Sequence, residues 1–210
     1  MLKMLVQIKD RLRYTKAHKK TLRKLRPFPG GTWDKKSPQI KDLKSHIKKI
    51  LLFNQGEKCA YCSQPFNITS GAEIEHIAPK GGAVYPRHTE FTFTAHNLVL
   101  ACHLCNSPVK KGRKDTIISK NINYRNCTFN IVHPYFDNVY DHYKLTLDDT
   151  LSGIIYKPIT NKAKNTIDIF DLNNEAHVTA RGEQSVAKQL KTHDVSKSRE
   201  LLLAAIQDYK

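Results

Sequence analysis

Asn97-Leu98-Val99-Leu100-Ala101-Cys102-His103-Leu104-Cys105-Asn106 is the stretch whose reading decides the fold. A short apolar run of strand length leads straight into a Cys-x-x-Cys knuckle, and Asn106 follows as the residue expected to open a helix. A second knuckle, Cys59-Ala60-Tyr61-Cys62, lies upstream with 39 residues between the two. A tetrahedral Zn²⁺ takes four soft ligands, and two knuckles supply them as thiolates while the segment between them folds as an insert. The alternative, four unrelated buried cysteines, fits poorly with a chain that has only 5 Cys. Cys127, the odd one, reads as a small buried hydrophobe. Paired knuckles with an odd cysteine count point to metal in a reducing compartment, so the cytoplasm is the default location.

A four-thiolate site is closed, so this zinc is expected to be structural, and any chemistry must lie elsewhere. Between the knuckles stands Ile74-Glu75-His76-Ile77-Ala78-Pro79-Lys80, an acid and a histidine flanked by apolar residues and followed by a chain-turning Pro. Successive strand residues face opposite ways, so Glu75 and His76 share one site only if the backbone twists or bulges; otherwise one of them is a surface residue. His103, inside a knuckle that already has its cysteines, is expected to be exposed rather than a ligand. His133, in Val132-His133-Pro134-Tyr135-Phe136-Asp137-Asn138, reads first as aromatic packing against the knuckle region.

Further outward the charge is uneven. The 210 residues carry 35 Lys+Arg and 19 Asp+Glu, net +16, but residues 1–58 alone hold 17 against 4, net +13. That concentration predicts a polyanion partner held mostly upstream of the first cysteine. The opening MLKMLVQIKDRLRYTKAHKK, basic and poor in acids, fits an amphipathic helix on nucleic acid, or alternatively an organelle transit peptide. Leu2, Leu5, Ile8 and Leu12 recur at helical spacing and predict a helix from Met1 to about Leu25. A second helix is expected from Pro38 to about Phe53, capped by Ser37, with Ile40, Leu43, Ile47, Ile50 and Leu51 as its apolar stripe and Gln55-Gly56 as its end. Trp33, between two turns, is expected to anchor a loop on the core, the alternative being a stack on an unpaired base.

Downstream, residues 143–157 read as a hairpin, YKLTL and IIYK joined by a DDTLSG turn. From Asn161 onward the pattern is helical, with Leu190, Leu201, Leu202, Ala205 and Ile206 apolar. No run of 18 apolar residues exists, which excludes a membrane-spanning helix, and no secretory apolar segment is present.

His76, Asn97 and Asn106, set between and beside paired knuckles, resemble the HNH nuclease motif in its form with a terminal Asn. The resemblance covers roughly residues 55–115. CAYC, IEHIAPK, NLVLACHLCN, VHPYFDN and the later IDIFDLNN are similar, more narrowly, to the HNH proteins of the Septu and retron anti-phage systems. The resemblance implies an α+β protein in which a zinc-stapled ββα-metal finger (55–115) is embedded between a basic helical N-terminal extension (1–54) and a mostly helical C-terminal region with a short hairpin (116–210). It implies an endonuclease with His76 as general base, Asn97 fixing the histidine loop, and Glu75 with Asn106 holding a catalytic Mg²⁺ or Mn²⁺. Many members carry Asp where Glu75 stands, and the Lys that usually follows the final Asn after two residues is displaced here to Lys110.

Phosphodiester hydrolysis needs an activated water and a cation on the leaving oxygen; an imidazole titrates near neutrality, and oxygen donors favour Mg²⁺ or Mn²⁺. Lys110, Lys111, Arg113 and Lys114 are placed to meet phosphates, or else form a solvated charge run. The expected substrate is nucleic acid, DNA first. The alternatives are an RNA substrate such as tRNA, or a zinc-finger binder without catalysis. The Septu and retron likeness further implies an SMC-like or ABC-type ATPase partner.

Overall fold

The computed structural model describes residues 5–66, 70–149 and 153–192 together with positions 200 and 204. It is a mixture of helices and small antiparallel sheets, an α+β architecture. The chain divides into two compact units, Met1–Lys144 with Lys157–Leu172, and Leu145–Tyr156 with Asn173–Lys210. Among the described residues no helix is long and apolar enough to cross a membrane.

The first unit is organised around two strands and one long helix. β1 (Ala72–His76) pairs antiparallel with β2 (Leu98–Cys102) in regular register, from Ala72 opposite Cys102 to His76 opposite Leu98. β2 is buried along its whole length, as its unbroken apolar run requires. Helix α2 (Pro38–Gln55) packs across both strands with Ile40, Leu43, Ile47 and Leu51 buried, while Ile50 is only half-buried. Pro38 occupies the first helical turn, where its missing N–H costs nothing. Ser37 sits at the cap position without a capping side-chain hydrogen bond, and Gly56 ends the helix in the left-handed conformation at φ 59°.

Gln55 closes the helix onto the sheet in a way its residue type does not advertise. Its amide donates to Leu100 O at 2.9 Å and Lys58 O at 2.8 Å, and its Oε1 accepts from Leu100 N at 2.7 Å. One side chain thus stands in for a missing strand neighbour along β2 and satisfies backbone groups that burial would otherwise orphan.

The helix expected from Met1 to Leu25 forms only in part. Residues 5–14 have no regular secondary structure, and helix α1 runs Lys16–Lys24, capped by Thr15. Leu5, Ile8 and Leu12 are buried as the spacing suggested, but their segment is held by distant loops. Val6 N donates to Ser63 Oγ, Ile8 N to Pro134 O, and Gln7 pairs with Asp137 O and Val139 N. Those partners take the place of helical hydrogen bonds, which is why a helical spacing yields no helix here. Leu2 lies outside the described residues.

After β2 comes the short helix α3 (His103–Asn106), followed by turns through residue 113. β3 (Ile117–Ser119) pairs with β4 (Thr128–Phe129), and helix α4 (Asn161–Phe170), capped by Thr160, completes the unit. The predicted hairpin is present as β5 (Tyr143–Leu147) and β6 (Ile154–Pro158). Residues 150–152 of its turn lie outside the described residues.

The second unit contains the tip of that hairpin and helix α5 (Glu175–Thr192). Arg181 Nε donates to Ile154 O at 2.7 Å and its guanidinium lies 4.3 Å from the centre of the Tyr156 ring. Gly153 backs so closely on Val178 that a Cβ there would lie 2.5 Å from its side chain. The side chain of Leu190, and all of Leu201, Leu202, Ala205 and Ile206, fall outside the described residues.

Candidate metal centre and the adjoining cavity

The two knuckles converge. Cys59, Cys62, Cys102 and Cys105 are all buried, and their four sulfurs lie within 4.8 Å of one another, with Cys62 Sγ 3.7 Å from Cys102 Sγ. A tetrahedron with zinc–sulfur bonds of the usual length has edges of roughly 3.8 Å, so the cluster is consistent with a structural zinc site. Hydrogen bonding to Cys102 and burial push the Cys62 and Cys105 thiols well above their ordinary pKa, a crowding of would-be anions that a divalent cation relieves.

Local backbone builds the first knuckle. Ser63 N donates to Cys59 O at 3.0 Å and Cys59 N to Gln64 O at 2.9 Å, while Ser63 takes a left-handed φ of 61°. Tyr61 stacks on Phe170 at 3.8 Å between ring centres, and Lys110 pairs with Asp171 at 3.3 Å. CAYC and IDIFDLNN therefore meet in space. His103 is exposed and bonded to Glu73 at 2.9 Å, not turned to the cluster. Cys127 is buried away from it.

At the other end of the β1–β2 pair lies a cavity of about 440 Å³ lined by Glu75, His76, Lys80, Asn106, Lys111 and Arg113 among others. Glu75 and His76 are both buried and both face it, although β1 pairs without a bulge; neither is a surface residue. His76 is the last residue of the strand, and its ring is caught immediately beyond. Nε2 lies 3.0 Å from Thr92 O, and the ring meets Trp33 edge-on at 4.5 Å between centres. A carbonyl only accepts, so Nε2 carries the proton and Nδ1 is the basic nitrogen. Burial, then the cations Lys80 and Lys111, push this imidazole down to about 3.

The loop leaving His76 is fixed one carbonyl at a time. Lys111 Nζ donates to His76 O at 2.6 Å, Thr116 Oγ1 to Ile77 O at 2.6 Å, and Asn97 Nδ2 to Ala78 O at 3.2 Å. Asn97, with no exposed surface, also accepts from Ala78 N at 2.6 Å and donates to Phe91 O at 3.0 Å. Behind it a chain of donors runs from His133 Nε2 to the Tyr124 hydroxyl at 3.1 Å and from that hydroxyl to Asn97 Oδ1 at 2.9 Å. Tyr135 N donates to His133 Nδ1, which makes Nε2 the protonated nitrogen and orients the chain. Burial holds His133 down to about 3, so it stays neutral. Its ring also stacks on Phe136 at 4.1 Å, and the Tyr135 hydroxyl donates to Leu98 O on β2.

The cationic run separates into different roles. Lys111 is 1% exposed and its ammonium sits 2.6 Å from Glu75 Oε1, whereas Lys110 is engaged by Asp171. Arg113 and Lys114 are exposed, and Arg113 lines the cavity. Asn106 lines it too, but it ends helix α3 instead of opening a helix, because the chain turns at Ser107-Pro108. Its Nδ2 donates to Glu73 Oε2 at 2.7 Å. Trp33 anchors its loop beside His76 and Phe93, with Lys44 Nζ 4.7 Å over its ring. Lys111 as a buried partner, Thr92, Thr116 and Tyr124 were not marked by any sequence pattern.

The chain is 35% identical over 104 residues to the Septu protein PtuB of Bacillus mycoides (strain KBAB4). That stretch is 46% of this chain and 32% of the relative, so the likeness spans about a third of the length of the curated relative. No protein-family model matches the chain.

Proposed function

We propose that this chain is a metal-dependent HNH endonuclease that hydrolyses phosphodiester bonds in DNA and serves as the nuclease of an anti-phage defence system. The observation that carries the reading is His76, a neutral imidazole with one nitrogen committed to a buried carbonyl, set in the wall of a polar cavity that Glu75 and Asn106 share. The four-cysteine cluster, whose Cys105 directly precedes Asn106, and the partial likeness to a Septu protein support it.

In this reading residues 55–115 form the ββα-metal finger, residues 1–54 bring most of the basic surface that holds the polyanion, and residues 116–210 are the mostly helical C-terminal region, of which Tyr124, His133 and Phe170 pack against the finger. His76 Nδ1 takes a proton from water. The water oxygen attacks phosphorus, the bond to the leaving oxygen breaks, and that oxygen acquires a proton from solvent. Burial, then the Lys80 and Lys111 charges, hold this imidazole low, and the negative phosphate offsets the part due to the two cations. Asn97 positions the loop and does not react.

Glu75 and Asn106 suit a divalent ion. Both are oxygen donors on one cavity, and Glu75 Oε1 is buried with no aligned hydrogen-bond donor, only the Lys111 ammonium beside it. A bound Mg²⁺ or Mn²⁺ supplies Lewis-acid stabilisation of the leaving oxygen. The Septu likeness extends the proposal to an SMC-like or ABC-type ATPase partner.

The test is a cleavage assay with added Mg²⁺ or Mn²⁺ on DNA and tRNA, using the protein alone and with a co-purified ATPase. Cleavage is expected in wild type and absent in His76→Ala, whose melting temperature should stay near wild type. A fully active His76→Ala overturns the reading. Salt-sensitive binding with no divalent-dependent cleavage in either preparation makes the chain a zinc-stapled binder instead. Cleavage of tRNA alone moves the substrate from DNA to RNA.

A further inference from the structure

The segment that follows the His76 loop folds back on itself as a small hairpin. His88 N donates to Pro79 O, Arg87 N to Lys80 O and Gly82 N to Tyr85 O, each at 3.1 Å. Gly81 holds φ at 67°, and a Cβ there would lie 2.1 Å from Tyr85 O, so the turn closes only with glycine. Gly30 backs it: a Cβ there would come within 2.8 Å of Gly82 O and 3.0 Å of Pro86 Cβ. On its flank Arg87 Nη1 donates to Arg113 O at 3.2 Å. The hairpin is pinned from base, back and side.

Its tip nonetheless presents apolar surface to solvent. Val84 is 77% exposed and Tyr85 72% exposed. The base of the same hairpin, Pro79 to Gly82, lines the cavity with His76 and Glu75. Lys80, paired with Asp34 at 3.2 Å, and Arg113 line that cavity as well, and Arg87 and Lys114 are exposed close by in sequence. A rigid aromatic tip rising from a cation-lined cavity has the composition of a single-strand binding surface, in which cations follow the phosphates and an aromatic face takes a base.

We propose that the Tyr85 ring is a stacking platform for an unpaired nucleobase of the strand whose phosphate enters the His76 cavity. The proposal rests on the nucleic-acid reading above and narrows the substrate to strands with an unpaired base, in a single strand, bulge or loop. A base inside a duplex keeps its faces against its neighbours and offers only its edges, whereas an unpaired base offers a face to any aromatic ring. Because the hairpin is already fixed, little conformational freedom is lost when the base stacks.

The test measures binding without cleavage, using full-length protein and no added Mg²⁺ or Mn²⁺. One probe carries 2-aminopurine at an unpaired position, and a second carries it inside a blunt duplex of the same sequence. Tyr85→Ala is expected to weaken the unpaired probe about ten-fold or more and to abolish its emission change, with duplex affinity and melting temperature unchanged. Tyr85→Phe, which keeps the ring, should behave as wild type. Equal weakening of both probes, no effect on either, failure of Phe to replace Tyr, or no binding of either probe overturns the proposal. Cleavage by His76→Ala would remove the nuclease reading while leaving a positive stacking result intact. Loss of cleavage in His76→Ala with no Tyr85 effect would remove the stacking proposal alone.

Discussion

The two ends of the β1–β2 pair solve opposite problems with the same five-residue strands. At the Cys102 end, four buried sulfurs lie within 4.8 Å of one another. Toward the His76 end, an acid, an imidazole and a buried ammonium line a cavity of about 440 Å³, which Asn106 reaches from the short helix beyond β2. A site whose ligands only meet each other contributes to folding, whereas a site whose polar groups are held by backbone carbonyls and still face a cavity is arranged for a visitor. The difference also shows in what each end is made of: four clustered thiols at one, and at the other buried side chains that each capture a single carbonyl.

The largest effect that would break this contrast is at the closed end. Cys59→Ser and Cys105→Ser should each lose stoichiometric zinc and the cooperative thermal transition, since structural zinc contributes on the order of 10 kcal/mol to small metallo-domains. Metal analysis and circular dichroism read the two quantities. A serine variant that melts like wild type would show that the cysteine cluster is not what secures this end.

Next is the ion pair beneath the cavity. Lys111→Met leaves the Glu75 carboxylate buried without its cation and His76 O without its donor, and urea unfolding should show a loss of about 3–5 kcal/mol. Adding Glu75→Gln should recover a good part of it, because the uncompensated charge is gone. Equal stability of the single and double variants would place the cost in the lost His76 carbonyl contact.

Smaller effects probe the donor chain. Tyr124→Phe strands the His133 Nε2 hydrogen and removes one donor from Asn97 Oδ1, for an expected loss of about 1–3 kcal/mol by the same measurement. The acid response is the finest probe. His133 has a folded pKa of about 3, below its unfolded value, so the unfolded chain binds more protons between the two. Its contribution is complete above about pH 6.5 and falls as the pH drops toward 3, by up to about 1.4 kcal/mol per pH unit. His133→Gln should flatten the acid side of the stability profile by that slope relative to wild type; an unchanged profile would mean that His133 does not stay neutral.

Legibility followed the range of the interactions. Helix α2 could be read because Pro38, each step of the apolar stripe and Gly56 act on backbone only a few residues away from themselves. The cysteine cluster could be read because zinc imposes ligand type and pairing, whatever the insert does. Residues 5–14 could not, since their buried positions keep helical spacing while their backbone partners are Ser63, Pro134 and other groups far along the chain. Lys111 looked like one more surface cation in KKGRK; only the position of Glu75 makes it a core residue. Tyr124 carries no motif, and its role exists only because Asn97 and His133 lie on either side of it.

By itself, then, the sequence determined the four thiol ligands, the long helix and the residue types able to do acid–base and phosphate chemistry, because these depend on local spacing and side-chain pKa. Tertiary structure alone decided that Glu75 and His76 share one cavity, that Asn106 ends its helix, that one lysine of a cationic run is buried, and that Tyr85 stands exposed on a pinned turn. Those are matters of which distant carbonyl, carboxylate or glycine occupies the neighbouring space, and a buried polar group takes whatever partner the fold brings to it.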